Sequence, residues 1–118
     1  MAARAAIVTG ASSGIGLAIA RMLGEEGYGI TMAARRPEKL QTAADGLAAD
    51  GFDVQAVPAA LSDESEIQKV VAAHRERYSR LDVLVNNAGV GIGSTVAEIQ
   101  TKHLDMQLDV NLRQIVLF

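Results

Sequence analysis

Cysteine is absent from the chain, so disulfides, thiolate nucleophiles and zinc–thiolate sites are excluded together. That absence fits a cytoplasmic protein. There is no excess of basic residues either: 11 Lys and Arg stand against 14 Asp and Glu, a net charge of −3. A nucleic-acid partner or an anionic membrane surface calls for the opposite balance, so neither is expected. No apolar run reaches membrane-spanning length. The acidic pairs Glu25-Glu26 and Glu64/Glu66 have no metal-ligand spacing around them, so no metal is expected. Repeats, low-complexity stretches and Pro- or Ser-rich linkers are missing as well. The start, Met1-Ala2-Ala3-Arg4, passes straight into an apolar run and leaves no room for a separate signal peptide. What remains is a globular composition, 49% hydrophobic and 21% charged, and 118 residues suffice for one domain with its own core.

Apolar runs alternate with helical patterns along that length. Ala5-Ala6-Ile7-Val8 reads as a strand, and the pattern from Leu17 to Leu23 reads as a helix ending near Gly27. Residues 29–33 form a second strand. Pro37 suits the first turn of a second helix, whose core face is Leu40, Ala43, Ala44 and Leu47 and whose stop is Gly51. Residues 53–58 make a third strand. Ser62 or Asp63 can cap a third helix with the stripe Ile67, Val70, Val71, His74 and Tyr78. A fourth strand, Val83-Leu84-Val85, is apolar throughout, as a parallel strand covered on both faces should be. Such alternation predicts an α/β fold: a Rossmann-like, doubly wound parallel sheet in the order 3-2-1-4, with any ligand at the carboxyl ends of the strands. Residues 101–118 are helical in pattern and apolar on two sides, which implies a partner beyond the sheet. They stop at Ile115-Val116-Leu117-Phe118 without a cap, so the expected unit, a single nucleotide-binding domain over 1–118, is truncated within a helix.

Between the first strand and first helix stands Thr9-Gly10-Ala11-Ser12-Ser13-Gly14-Ile15-Gly16. Gly10 can adopt the angles of a tight turn. Gly14 lets a pyrophosphate approach the main chain, and Gly16 allows the helix to pack close on the strand. Free N–H groups and the helix dipole favour an anion there, and Ser12 and Ser13 add hydroxyls. A purely structural turn is the competing reading. No Gly-Lys-Ser or Gly-Lys-Thr follows, so this is not a Walker-type loop.

The T-G-x-x-x-G-x-G spacing resembles the cofactor loop of the short-chain dehydrogenase/reductase family. Two further segments strengthen the likeness. About 20 positions past the loop, where an NAD-binding fold carries a carboxylate for the ribose 2′-hydroxyl, this chain reads Ala33-Ala34-Arg35-Arg36. Guanidinium groups bind a 2′-phosphate instead. The resemblance thus implies NADP(H) rather than NAD(H), with Arg35 on the 2′-phosphate and Arg36 flanking it; solvated strand-end charges are the alternative. Asn86-Asn87-Ala88-Gly89 matches the family's N-N-A-G motif. By that likeness Asn87 steadies the sheet while Ala88 and Gly89 border the cofactor, as does the backbone of Ile15. Asn111, in Val110-Asn111-Leu112, resembles the family's catalytic Asn, and a bonded core Asn is the other reading.

Two departures stand out. After the third strand many family members place an acidic residue before Val or Leu, whereas this chain has Ala60-Leu61, with Asp63 displaced. Leu61 keeps its backbone N–H for the adenine, but a side-chain acceptor for the adenine amine is lacking. The family's Y-x-x-x-K is also missing: Met32 stands four residues after Tyr28, and Asp82 four after Tyr78. His74 reads as a helix-packing residue and His103 as a solvated one. The implied activity is that of an NADP(H)-dependent oxidoreductase on a small carbonyl or alcohol substrate. The chain would be its cofactor-binding half, without the serine, tyrosine and lysine of the reaction. A homo-oligomer is expected; were the chain a non-catalytic module, the fourth strand's open side and the last helix would be its interface. A non-catalytic NADP(H) sensor or assembly module is the alternative. A sugar-nucleotide epimerase usually shows T-G-x-x-G-x-x-G, which this loop lacks.

Overall fold

A computed structural model describes residues 4–87. The readings placed on Ala88, Gly89, Asn111 and residues 101–118 lie outside them. The order is β1 (Arg4–Thr9), α1 (Gly14–Glu25), β2 (Tyr28–Ala34), α2 (Pro37–Ala49), β3 (Val54–Pro58), α3 (Glu64–Tyr78) and β4 (Val83–Val85). The strands form one parallel sheet, β3-β2-β1-β4, the order expected from the alternation.

Side chains of a strand alternate between its faces, and the two cores follow from that. Val8, Ile30, Met32 and Ala34 face α1 and α2, where Ala20, Leu40, Ala44 and Leu47 complete a cluster. Ile7, Ala33 and Val57 face the other way, onto Ile67 and Val70 of α3. Five of the six β1 residues are buried, as a strand covered on both sides requires.

The boundaries differ from expectation by a residue or two. The register Arg4↔Tyr28 draws Tyr28 into β2. Asp53 lies just before β3: its carbonyl accepts the Ile30 N–H at 2.9 Å, while its carboxylate is bonded by Arg77 (2.7 Å) and the Tyr78 hydroxyl (3.1 Å). Of the two candidate caps for α3, Asp63 is the one used: its Oδ1 accepts the Ser65 N–H at 2.9 Å and the Ser65 hydroxyl at 2.7 Å. That helix ends on Ser79 with φ 60°, a left-handed cap without glycine.

His74 is buried, and its hydrogen bonds have a single consistent direction. The Arg80 carbonyl, 2.7 Å away, can only accept, so Nε2 carries the proton. Nδ1 then accepts from the Thr31 hydroxyl at 2.7 Å, which in turn accepts from Gln55 Nε2 at 2.8 Å. This chain of polar groups fastens α3 to β2 and β3.

The start of β4 is clipped to the start of β1. The Asp82 N–H donates to the Ala5 carbonyl, and an Asp82 carboxylate oxygen accepts the Ala5 N–H, each at 2.8 Å. The Arg80 guanidinium forks onto the same carboxylate at 2.7 and 2.8 Å. Arg80 first, and then the Ala5 N–H, hold the Asp82 carboxyl below its ordinary range. A lowered folded-state pKa adds stability that is present above the unfolded value of about 3.9 and is lost as pH falls through the folded one. Asp82→Asn should therefore lower the urea midpoint at pH 7, and the gap to the natural chain should close below about pH 4. A gap of equal size at low pH would show that charge is not the cause.

Candidate cofactor site at the carboxyl edge of the sheet

All four strands run parallel, so the segments leaving their carboxyl ends gather at one edge. The glycine loop follows β1, Arg35 and Arg36 follow β2, residues 59–62 follow β3, and Asn86 and Asn87 follow β4. These are the places singled out in the sequence, and the topology alone assembles them.

The loop itself is built on two glycines in left-handed conformations, Gly10 at φ 63° and Gly14 at φ 58°. Ala11 is buried, and its N–H donates to the Ala33 carbonyl of β2 at 3.4 Å, which ties the loop to the neighbouring strand. Gly16 is the close approach. A Cβ there would overlap the Gly10 carbonyl oxygen and would come within 2.6 Å of Asn87 Nδ2. Around Gly14, by contrast, a Cβ would meet nothing within 4 Å, so this side of the loop is open.

The first bond of α1 runs from the Leu17 N–H to the Ser13 carbonyl at 3.3 Å. The N–H groups of Gly14, Ile15 and Gly16 precede it and have no partner among the described residues. Ser13 is the N-cap residue, yet its side chain makes no capping bond, and no acidic residue lies in the first turn. The hydroxyls expected to serve as extra donors are therefore not consumed by the helix. The other two helices begin differently, with Glu38 in α2 and with Glu64, Glu66 and the Asp63 cap in α3. An anion at the start of α1 would meet donors uncommitted among the described residues, with no carboxylate in the helix's first turn to oppose it. Ile15 is 72% exposed beside it.

The β4 side is latched to the loop. The Asn87 N–H donates to Thr9 Oγ1 at 3.0 Å, the Thr9 hydroxyl donates to the Val85 carbonyl at 3.3 Å, and Asn87 Nδ2 donates to the Gly10 carbonyl at 3.3 Å. Asn87 thus joins the ends of β1 and β4. Asn86 does not: its Oδ1 is buried with no hydrogen-bond partner among the described residues. Thr9 was missed as a member of this latch. The available signal was a hydroxyl closing an otherwise apolar buried strand, which has to find a partner.

Arg35 and Arg36 are exposed, and neither makes an ion pair among the described residues. Arg36 is the N-cap of α2, directly before Pro37. Leu61 is 6% exposed, with its side chain packed into the α3 core. Among the described residues no cluster of His, Asp and Glu could hold a metal, and no helix is long and apolar enough to cross a membrane.

Residues 4–118 match the model of the short chain dehydrogenase family. An uncharacterised oxidoreductase of Bacillus subtilis is 38% identical over 112 residues, which are 95% of this chain and 44% of that protein. One of Staphylococcus aureus is 36% identical over 110 residues, 93% of this chain and 47% of the relative. The chain therefore spans about half the length of the curated relatives it matches. Among solved structures, L-sorbose reductase from Gluconobacter frateurii, complexed with NADPH and L-sorbose, superposes with a TM-score of 0.93 at 32% identity, covering 99% of this chain and 45% of that one. A variant of actinorhodin polyketide ketoreductase with NADPH gives 0.92 at 39% identity, over 98% of this chain and 46% of that one.

Proposed function

The chain belongs to the short-chain dehydrogenase family, and on that premise we propose that its carboxyl edge is an NADP(H) site serving an oxidoreductase of small carbonyl or alcohol substrates. The observation that carries this reading is the cradle at Gly16. A missing side chain lets the helix start close onto the end of β1, with three N–H groups unpartnered among the described residues. The donors fit paired phosphates: Gly14, Ile15 and Gly16 supply backbone N–H groups, and Ser12 and Ser13 supply hydroxyls. Arg35 takes the 2′-phosphate in a charge-assisted hydrogen bond and Arg36 adds a flanking charge. Asn87 keeps the loop and the end of β4 together. On this reading Ala88 and Gly89 border the ribose, and Asn111 belongs to the proton relay. NADPH-bound neighbours support the choice of cofactor. When bound, the nicotinamide supplies the hydride.

These 118 residues bind without catalysing. The family's acid/base is a tyrosine brought toward neutrality by a lysine four residues on, and no Y-x-x-x-K occurs here. Tyr78, in α3, is unsuited to that work. Burial, followed by the Asp53 carboxylate, pushes its hydroxyl up to about 12, away from the range a proton donor needs at neutral pH. Titrating the purified chain with NADPH should give saturable nicotinamide fluorescence, while added ketones should cause no NADPH oxidation above the buffer rate. Failure to saturate by millimolar NADPH would overturn the cofactor assignment, and ketone-dependent oxidation would overturn the division of labour.

A further inference from the structure

A second concavity lies away from the glycine loop, on the α3 face of the sheet. It holds about 260 Å³ between Ile7 of β1, Val71, His74 and Arg75 of α3, and Ser79, Arg80 and Leu81 ahead of β4. Residues 79–81 lead into the amino end of β4, so this hollow lies toward the edge of the sheet opposite the glycine loop.

Its chemistry follows from which of those groups are already engaged. Ile7, Val71 and Leu81 give apolar walls, and Leu81 is 48% exposed. Both ring nitrogens of His74 are committed, to Thr31 and to the Arg80 carbonyl, so the imidazole offers only its carbon face. The Arg80 guanidinium is forked onto Asp82, and the Ser79 hydroxyl turns back to the Arg75 carbonyl at 3.4 Å. Arg75 is different. Its guanidinium makes no ion pair among the described residues, whereas Arg21, Arg77 and Arg80 each hold a carboxylate. Nor can its own helix face supply one, because the positions three and four away are Val71, Ala72, Tyr78 and Ser79.

An apolar hollow with one uncommitted guanidinium in its wall selects an apolar body with a single anionic end. The planar fork matches a carboxylate, which it can meet in two parallel hydrogen bonds. The volume is that of about nine water molecules, which suits a chain of about six carbons. Because a helix carries partial negative charge at its carboxyl end, the last turn of α3 does not itself attract an anion. The guanidinium has to do so alone.

We propose that this hollow binds short aliphatic carboxylates, with the hydrocarbon against Ile7, Val71 and Leu81 and the carboxylate on Arg75. It is separate from the glycine loop and stands whether or not that loop holds a dinucleotide.

The test is a titration of the whole, isotope-labelled 118-residue chain with hexanoate, followed by amide chemical shifts. The amides of Val71, Arg75 and Leu81 should move and saturate with a dissociation constant of about a millimolar. Hexanol, which lacks the charge, should bind about tenfold more weakly. Arg75→Gln removes an exposed, unpaired side chain and should weaken hexanoate by about tenfold with the fold intact. Lys39→Gln, which removes an exposed positive charge on α2, should leave it unchanged. Shifts that stay linear to roughly 20 mM, equal affinity for hexanol, or full affinity in Arg75→Gln would each overturn the proposal. So would movement of the Gly14 to Gly16 amides in place of those around Arg75, which would assign the anion to the glycine loop. Should Arg75→Gln not fold, the preference of the natural chain for hexanoate over hexanol decides alone.

Discussion

Gly16→Ala should weaken NADPH binding by roughly a hundredfold or more, the loss of about two phosphate contacts at 1.5–3 kcal/mol each. The added methyl overlaps the Gly10 carbonyl oxygen and crowds Asn87 Nδ2. Neither partner can retreat freely. The Gly10 carbonyl belongs to a backbone bend at φ 63°, and Asn87 is bonded to that same oxygen. The helix start must therefore back away from β1, carrying its free N–H groups with it. Overpacking of this kind costs about 1–3 kcal/mol of stability as well, so loss of fold and loss of binding have to be separated. Gly46→Ala supplies the comparison. It lies on an exposed position of α2 with nothing within 4 Å of a Cβ, so it should stabilise by about 0.5–1 kcal/mol and leave binding alone. Circular dichroism on both variants decides: a Gly16→Ala chain that is folded and still binds NADPH like the natural one would refute the cradle.

Arg35→Asp should cost NADPH about ten- to a hundredfold in affinity while NADH changes little. A guanidinium meeting a phosphate makes a strong, directional contact, and a carboxylate in its place repels the same group. The position is favourable for such a reversal, since Arg35 has no ion pair to lose among the described residues and stability should be nearly untouched. Being exposed, the contact should also fade with added salt. Arg36→Asp should follow the same trend more weakly. Parallel loss of both dinucleotides would place Arg35 in the shared part of the site or in the fold, and would remove the basis for choosing NADP(H).

Much of this architecture is legible in the sequence, because local signals and the global fold agree. The apolar runs became strands within a residue or two, and alternation with helices left few topologies open, of which 3-2-1-4 is the one found. Glycine spacing and the two arginines also pointed to one edge of the sheet. What escaped detection depends on residues far apart in the chain. Nothing near Thr9 announces that its hydroxyl will serve Asn87, 78 positions away. Gly29 looks like ordinary strand content, yet its hydrogen face is pressed against the Tyr78 ring, where a Cβ would collide. Ser79 in a left-handed cap is likewise invisible, since any scan for helix ends looks for glycine or asparagine first. His74 was placed on a packing face correctly, but its partners, Thr31 and the Arg80 carbonyl, come from other segments.

The shortness of β4 deserves a mechanical reading. Three residues of ladder hold a strand in register only weakly, and a slip of one position would exchange its inward and outward faces. Here the strand is pinned at both ends to the same neighbour, by Asp82 on Ala5 and by Asn87 on Thr9 and Gly10. A slip would have to break both pins at once, so the offset between the loop and the end of β4 is geometrically locked. The main chain at Asn87 is thereby anchored beside the helix start by β1 and the glycine loop together.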